Sequence, residues 1–368
     1  MPSSIYLTGS GQTKFGEHWS MSLRDLMAEA IAKAIDDAGC TALDIDTVIV
    51  GNMLGERLSG QAHLGALAAS LLPHRPPALR AEAACASGSV AVHTACALLE
   101  SGRAETVLVI GAEKMTDATN EVVAAGLMGA ADADLDSPSG LTFPGIFGLI
   151  TARYMHEWGL TREQLNLVSA KHHANAVLNP FAQFRTAIPA EKIGQSPLVA
   201  DPLRLLDCSP VSDGAAAIIL STKTKSDVRL AASSLATDAV SITERPTITS
   251  FPASREAAER AYADAGLRPS DISVVELHDC FSIAALISLE DMGFASPGEG
   301  ISLYSQEPDI AVNGTGGLKA CGHPVAATGV KQIGDVCKQL RTGKKRYGLA
   351  QNFGGACATC CVHILEHA

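Results

Sequence analysis

Residues 30–52 read AIAKAIDDAGCTALDIDTVIVGN, and residues 257–279 read AAERAYADAGLRPSDISVVELHD. Laid over each other, they match at one constant offset. Asp37-Ala38-Gly39 returns as Asp264-Ala265-Gly266, Asp44-Ile45 as Asp271-Ile272, and Val48 as Val275. Ala30 and Ala34 return as Ala257 and Ala261. Each copy predicts an alanine-rich helix, a glycine stop, a short loop and a buried strand. A looser pair follows. AVHTACALLESGRAETVLVIG (91–111) matches KQIGDVCKQLRTGKKRYGLAQ (331–351), with Cys96 on Cys337, Leu99 on Leu340 and Gly102 on Gly343. The chain therefore reads as two α/β halves, 1–118 and 228–368. Such a duplication packs its sheets face to face around shared helices, with ligands near strand C-termini and helix N-termini. Residues 119–206 fit neither copy. They hold a helical run, GLTFPGIFGLITARYMHEWGLTREQL, and a turn-rich stretch, NPFAQFRTAI, and read as an inserted loop domain. The strand near Ala215, within 207–222, then completes the first half. Insertions of this length tend to be lids or binding elements.

Bulk properties narrow the class. The 368 residues are 47% hydrophobic, 18% charged and 4% aromatic, as expected of a well-packed α/β protein and not of a disordered chain. A net charge of -11 argues against a nucleic-acid surface, which is usually basic. Apolar runs break well before the ~20 residues of a membrane span. The N-terminus shows no secretory pattern and the C-terminal HILEHA no Ser-Lys-Leu address, so the expected location is cytoplasmic. The ten cysteines are then expected to be reduced. Cys96, Cys337, Cys360 and Cys361 lie in apolar runs and read as small hydrophobes. Cys357 and Cys360 are spaced C-x-x-C, but no second ligand pair stands at zinc spacing, so no metal site is expected.

Four stretches carry candidate chemistry. In EAACASGSV (82–90), Cys85 has only small neighbours and precedes a helical pattern. A helix N-terminus favours a thiolate and an oxyanion, although a small spacer at a strand-to-helix turn would look the same. In VVELHDCFS (274–282), a buried strand delivers His278, Asp279 and Cys280 at its C-terminal end, the usual position for an active site in an α/β sheet. Residues two apart share one side of an extended chain, so His278 and Cys280 can line one pocket. In NGTGGLKACGHPVAATG (313–329), a glycine-rich loop presents His323 before a helix. Its glycine spacing is a poor nucleotide fingerprint, and His323 can also be a turn-capping histidine. In QNFGGACAT (351–359), a strand ends at Asn352-Phe353-Gly354-Gly355, either offering N–H groups to a reacting carbonyl or making a hairpin.

Taken together, these motifs resemble the thiolase superfamily over nearly the whole chain. CASGS resembles its nucleophile motif and GHPVAATG its histidine motif. LHDCF, LTFPGIF and DPLRLLDCSPVSDGAAA resemble the sterol-carrier-protein-type and archaeal–bacterial acetyl-CoA acetyltransferase branch, where His-Asp-Cys-Phe replaces Asn-Glu-Ala-Phe. The resemblance implies a five-layer αβαβα fold. It also implies an acyl-CoA C-acyltransferase with acyl-CoA and CoA as substrates and no permanently bound cofactor. Cys85 would be the nucleophile and His323 its base. Cys280 would move the α-proton, in place of the usual C-terminal Cys-x-Gly cysteine, whose position is held by Asn352. His278 and His323 would stabilise the enolate, and the N–H groups of Cys85 and Gly354 the tetrahedral oxyanion. Ala326 stands where many relatives have glycine. Cys321 is an unusual thiol expected close to the site.

The resemblance further implies a homodimer or homotetramer, and in some branches a small OB-fold partner protein. Phe143 to Phe147 and Met155 are expected to shape the acyl and pantetheine channel. Lys171, Arg185 and Arg204 stay open as candidates for the CoA phosphates. Two other readings remain. A decarboxylating ketosynthase-like enzyme would need no Cys280, and a non-thiolase subunit (aldolase or scaffold) would work beside an OB-fold partner.

Overall fold

The computed structural model describes residues 4–306, 308–343 and 345–368. Twelve strands alternate with helices. They are β1 (Ile5–Gln12), β2 (Thr47–Gly51), β3 (Ala78–Ala81), β4 (Thr106–Glu113), β5 (Leu198–Ala200), β6 (Leu203–Arg204), β7 (Gly214–Ser221), β8 (Val228–Thr237), β9 (Val274–Glu276), β10 (Ala311–Val312), β11 (Tyr347–Gly354) and β12 (Thr359–His367). Ten of them form one sheet, ordered β10-β9-β11-β12-β8-β1-β7-β4-β2-β3, and β5 and β6 form a separate hairpin. The order reads identically outward from the middle: β1-β7-β4-β2-β3 on one side, β8-β12-β11-β9-β10 on the other. Each half has a parallel trio, with an antiparallel strand between it and the middle strand. Among the described residues, the halves join edge to edge through two residue pairs, Ile5↔Leu230 and Tyr6↔Arg229.

The repeated residues do the same work in both copies. The Leu23–Ala38 helix starts at a Ser22/Asp25 capping box and stops at Gly39, φ +60°. Its counterpart, Pro252–Ala265, starts with proline in its first turn and stops at Gly266, φ +67°. The repeated aspartates follow. The Asp44 carboxylate accepts the Thr41 N–H at 2.8 Å, and the Asp271 carboxylate accepts the Arg268 N–H at 2.8 Å. Both close a one-turn 3₁₀ helix ahead of the next strand.

These two helices cover the outer faces, on β1 and β7 and on β8 and β12. The Ser87–Glu100 and Ala327–Gly343 helices pack against each other and against strands of both halves, as the middle layer. The result is the five-layer αβαβα arrangement. Between β4 and β7 the chain runs out through the Asn120–Leu127, Phe143–Trp158 and Arg162–Asn175 helices and the β5–β6 hairpin before returning to the first sheet. No helix among the described residues is long and apolar enough to cross a membrane.

Candidate active site

The middle layer sets the site. A Cβ on Gly88 would come within 2.2 Å of the Ala326 carbonyl oxygen, and one on Gly329 within 2.3 Å of Ser89 Oγ. Glycine at both positions lets the two central helices touch backbone to backbone at their N-terminal ends. That crossing brings the turn ahead of the Ser87 helix beside the loop ahead of the Ala327 helix. Cys85, His278 and His323 then place one ligand atom each within 4.8 Å of one another. Among the described residues, this is the only Cys, His, Asp and Glu group compact enough to hold a metal ion.

Cys85 is half-buried on a sharp turn. Ala84, just before it, has φ +51°, a left-handed conformation that costs an L-residue about 1–2 kcal/mol. Ser87 holds the turn closed: its Oγ accepts the Ala83 N–H at 2.9 Å and donates to the Ala84 carbonyl at 2.6 Å. Burial pushes the Cys85 thiol up to about 12, although the Gly355 N–H pulls it down. Burial thus works against the thiolate that a helix N-terminus favours.

Both histidines are oriented from behind. The Thr328 hydroxyl donates to the Pro324 carbonyl at 3.3 Å and meets His323 Nδ1 at 2.7 Å. With its own proton on the Pro324 carbonyl, Thr328 can accept the Nδ1 proton, the tautomer that leaves the lone pair on Nε2. His323 Nε2 is buried and has no protein partner. Burial pushes this imidazole down to about 3, so it is neutral and basic in form. His278 has the opposite orientation. Asn352 Nδ2 donates to its Nδ1 at 2.8 Å, placing the proton on Nε2 as a donor. Burial, then the nearby His323, holds the His278 imidazole well below its usual range. The two rings meet edge to face, with centroids 4.9 Å apart.

The extended HDCF segment splits by side. His278 and Cys280 line the cavity, while Asp279 points the other way. The Asp279 carboxylate takes His172 Nδ1 at 2.8 Å and the Leu318 N–H at 2.8 Å, which anchors the segment. Cys280 is buried, and its thiol is pushed well up by burial and by Cys85.

These groups open into a cavity of about 390 Å³ lined mainly by apolar side chains. Phe143, Pro144 and Phe147 of the inserted segment form part of its wall, and Met155 does not. Phe147 stacks on Phe281 at 4.5 Å between centroids. Cys208 is a third thiol on the wall; its stretch, DPLRLLDCSPVSDGAAA, marked the branch in the sequence but gave the cysteine no role.

The two glycines at the end of β11 differ in place. Gly355, φ +63°, lines the cavity, and its N–H lowers the Cys85 thiol. Gly354 instead packs under the nucleophile turn, where an added Cβ would lie 2.3 Å from the Ala83 carbonyl oxygen. Asn352 is fully buried behind His278 and does not reach the cavity. Cys321 also turns away. Its thiol donates to the Thr315 carbonyl at 3.2 Å and lies 3.5 Å from Asn179 Nδ2, so it is not a group of the site. Arg204 is spent on the Ser196 carbonyl at 2.8 Å and Arg185 on the Val177 carbonyl at 3.4 Å. Neither they nor Lys171 lines the cavity. Thr328 was missed in the sequence because a lone threonine carries no signal of its own, whereas Gly355 stood in the Asn352–Gly355 stretch already singled out for its N–H groups.

A thiol on a strained turn, a neutral imidazole and a second thiol under an apolar cavity are the groups that carrying a group on cysteine requires. The sequence comparisons make this specific. The thiolase N-terminal domain model matches residues 5–224 and the thiolase C-terminal domain-like model matches residues 234–367. An acetyl-CoA acetyltransferase of Methanocaldococcus jannaschii is 41% identical over 388 residues, covering 98% of each chain. Sterol carrier protein 2 of Homo sapiens is 33% identical over 370 residues, covering 93% of this chain and 67% of that protein. A solved structure described as an Ltp2-ChsH2(DUF35) aldolase superposes with TM-score 0.84 at 23% identity, covering 100% of this chain and 98% of that one, and shows the shared fold. The chain belongs to the thiolase family and is an enzyme.

Proposed function

We propose that this thiolase transfers acyl groups between CoA thioesters and carbon. It condenses acetyl-CoA with an acyl-CoA, or runs the reverse thiolysis of a 3-oxoacyl-CoA, through an acyl-enzyme on Cys85. The observation that carries this reading is the gathering of Cys85, His323, His278 and Cys280 around one apolar cavity. In the first half-reaction Cys85 sulfur attacks the thioester carbonyl as its proton passes to His323 Nε2, and His323 returns the proton to the leaving CoA sulfur. In the second, Cys280 takes an α-proton from the next acyl-CoA. The Nε2–H of His278 faces the developing enolate oxygen, and the N–H groups of Cys85 and Gly355 support the tetrahedral oxyanion. The reaction needs only the acyl-CoA substrates and no resident cofactor or metal. We place the enzyme in the cytoplasm, where its ten unpaired thiols fit a reducing compartment. We expect a homodimer or homotetramer, with a small OB-fold partner as a further option. Sedimentation with and without such a partner tests the assembly.

The deciding experiment is a product assay. Incubation with acetyl-CoA alone gives a 3-oxoacyl-CoA and free CoA, and 3-oxoacyl-CoA plus CoA gives the reverse. Cys85→Ala is expected to abolish both reactions and the acyl-enzyme mass. Cys280→Ala is expected to keep the acyl-enzyme and lose condensation by ~100-fold or more. Turnover only with malonyl-CoA would favour the decarboxylating alternative and overturn the assignment of Cys280.

A further inference from the structure

The scheme above leaves one buried charge without a task. Lys319, on the short Gly317–Cys321 helix, is 2% exposed. A buried ammonium is costly unless acceptors or an anion receive it. Its Nζ donates to the Asp207 main-chain carbonyl and lies 5.9 Å from the Phe281 ring centroid. Among the described residues no carboxylate pairs with it. The carboxylates beside it are engaged elsewhere. Asp207 is held by Arg162 at 2.6 and 2.8 Å and by Ser282 at 3.0 Å. Asp279 is held by His172 and the Leu318 N–H, both at 2.8 Å.

What lies beside this charge is a pair of thiols. The segment carrying Cys208 runs along the segment carrying Cys280. A bridge joins Cys208 to Phe281, and the Ser209 N–H donates to the Cys280 carbonyl at 2.8 Å. Lys319 sits at this junction, its Nζ on one segment's Asp207 and over the other's Phe281. Both thiols line the cavity.

The geometry points to Lys319 as the cation that favours the thiolate form of Cys280 for enolate formation, a positioning residue that acts through Cys280 and touches no substrate. The assignment rests on the proposed thiolase chemistry and deepens it. The Cys280 thiolate takes a proton from the α-carbon of the second acyl-CoA, and the C–H pair becomes the enolate. The enolate carbon attacks the Cys85 thioester. Collapse of the adduct expels Cys85 sulfur, which takes the proton from Cys280. Lys319 keeps its own proton throughout, so the cycle ends with both thiols as they began. Burial, then Cys85, pushes the Cys280 thiol well up, and the Lys319 charge is the largest influence in the opposite direction, as it is for Cys208. Burial likewise pulls Lys319 down, against the pull of Asp279 and the two thiols. The titratable groups facing Lys319 are Asp207 and Cys208 before β7, Asp279 and Cys280 after β9, His172 and His173 on the Arg162–Asn175 helix, and His278 and His323 across the cavity.

Two rates separate this role from a structural one. The first is acyl-enzyme formation on Cys85 from acetyl-CoA, read by intact mass. The second is exchange of the acetyl-CoA methyl protons for deuterium in D₂O. Lys319→Met is expected to slow exchange and condensation by ~100-fold while acyl-enzyme formation stays within about threefold, and Lys319→Arg to restore most of the exchange. Exchange at the wild-type rate in Lys319→Met overturns the proposal, as does equal loss of both rates with no recovery in Lys319→Arg. Should Lys319→Met not fold, iodoacetamide labelling of Cys280 in Cys85→Ala, mapped by peptide mass, decides. Labelling at neutral pH at least tenfold faster than that of buried Cys337 supports the thiolate, and equal rates overturn it. Absence of any acyl-enzyme in the wild type would instead sink the thiolase chemistry itself.

Discussion

Residue by residue, acylation runs on neutral partners. Cys85 sits near 12 and His323 near 3, both through burial, so thiol and imidazole keep their protonation states across the range between. Proton transfer then accompanies attack and does not precede it. The sign follows. A histidine with a lowered pKa loses its base function only as pH falls to that value, and a thiol with a raised one gains thiolate only at strongly alkaline pH. Single-turnover acylation by rapid quench is therefore expected to be level from about pH 5 to about pH 8. A tenfold rise over that window would mean a thiol that ionises near neutrality. Thr328→Val removes the acceptor that sets the His323 tautomer. The loss of one such bond, about 0.5–1.5 kcal/mol, predicts acylation slowed about 2- to 10-fold with substrate binding unchanged. Cys85, His278, Cys280 and His323 were all legible in the sequence because reactive residue types stand at strand ends and helix starts. The place of Asn352 behind His278 was not, because it depends on how β11 packs beside the strand that ends at His278.

At the scale of elements, the decisive contact is the crossing of the two central helices. Each is an ordinary helix in sequence, and the small residues at its start read locally as room for a ligand. In the structure Gly88 and Gly329 serve backbone approach instead. A Cβ on Gly329 would lie 2.3 Å from Ser89 Oγ and 2.6 Å from Asn352 Oδ1. Gly329→Ala is expected to cost about 1–3 kcal/mol in urea unfolding and to lower acylation further than that loss explains, since it parts Cys85 from His323. Gly129→Ala, whose Cβ would meet nothing within 4 Å, is the control and should change neither. The inserted helices were legible as an insertion. Their share of the cavity was only half legible: Phe143 and Phe147 reach it, but Met155 packs within its own layer.

Across the whole molecule, the two halves share very little sheet. With two residue pairs joining β1 to β8 among the described residues, the middle helices and a few buried polar ties hold the halves in register. Glu113 is one such tie. At the end of β4 it accepts Asn52 Nδ2 at 2.6 Å, the N–H groups of Met53 and Leu54 at 3.1 and 2.9 Å, and, from the other half, the Ala326 N–H at 3.3 Å. Glu113→Gln turns an amide N–H₂ towards these donors and leaves some of them unpaired. It is expected to destabilise the fold by about 1–3 kcal/mol in urea and to lower acylation, because the Ala326 link positions the His323 loop.

The sequence by itself determined the duplication and the candidate reactive residues. Those depend on local rules: helix stops at Gly39 and Gly266, and side alternation that puts His278 and Cys280 together. Only the tertiary structure decided the protonation of the thiol, the tautomers of both histidines, the exclusion of Cys321 and the burial of Lys319 beside Cys280. Each of these depends on what lies across the chain, on desolvation and on hydrogen-bond partners tens to hundreds of residues away, and no local pattern in one sequence encodes them.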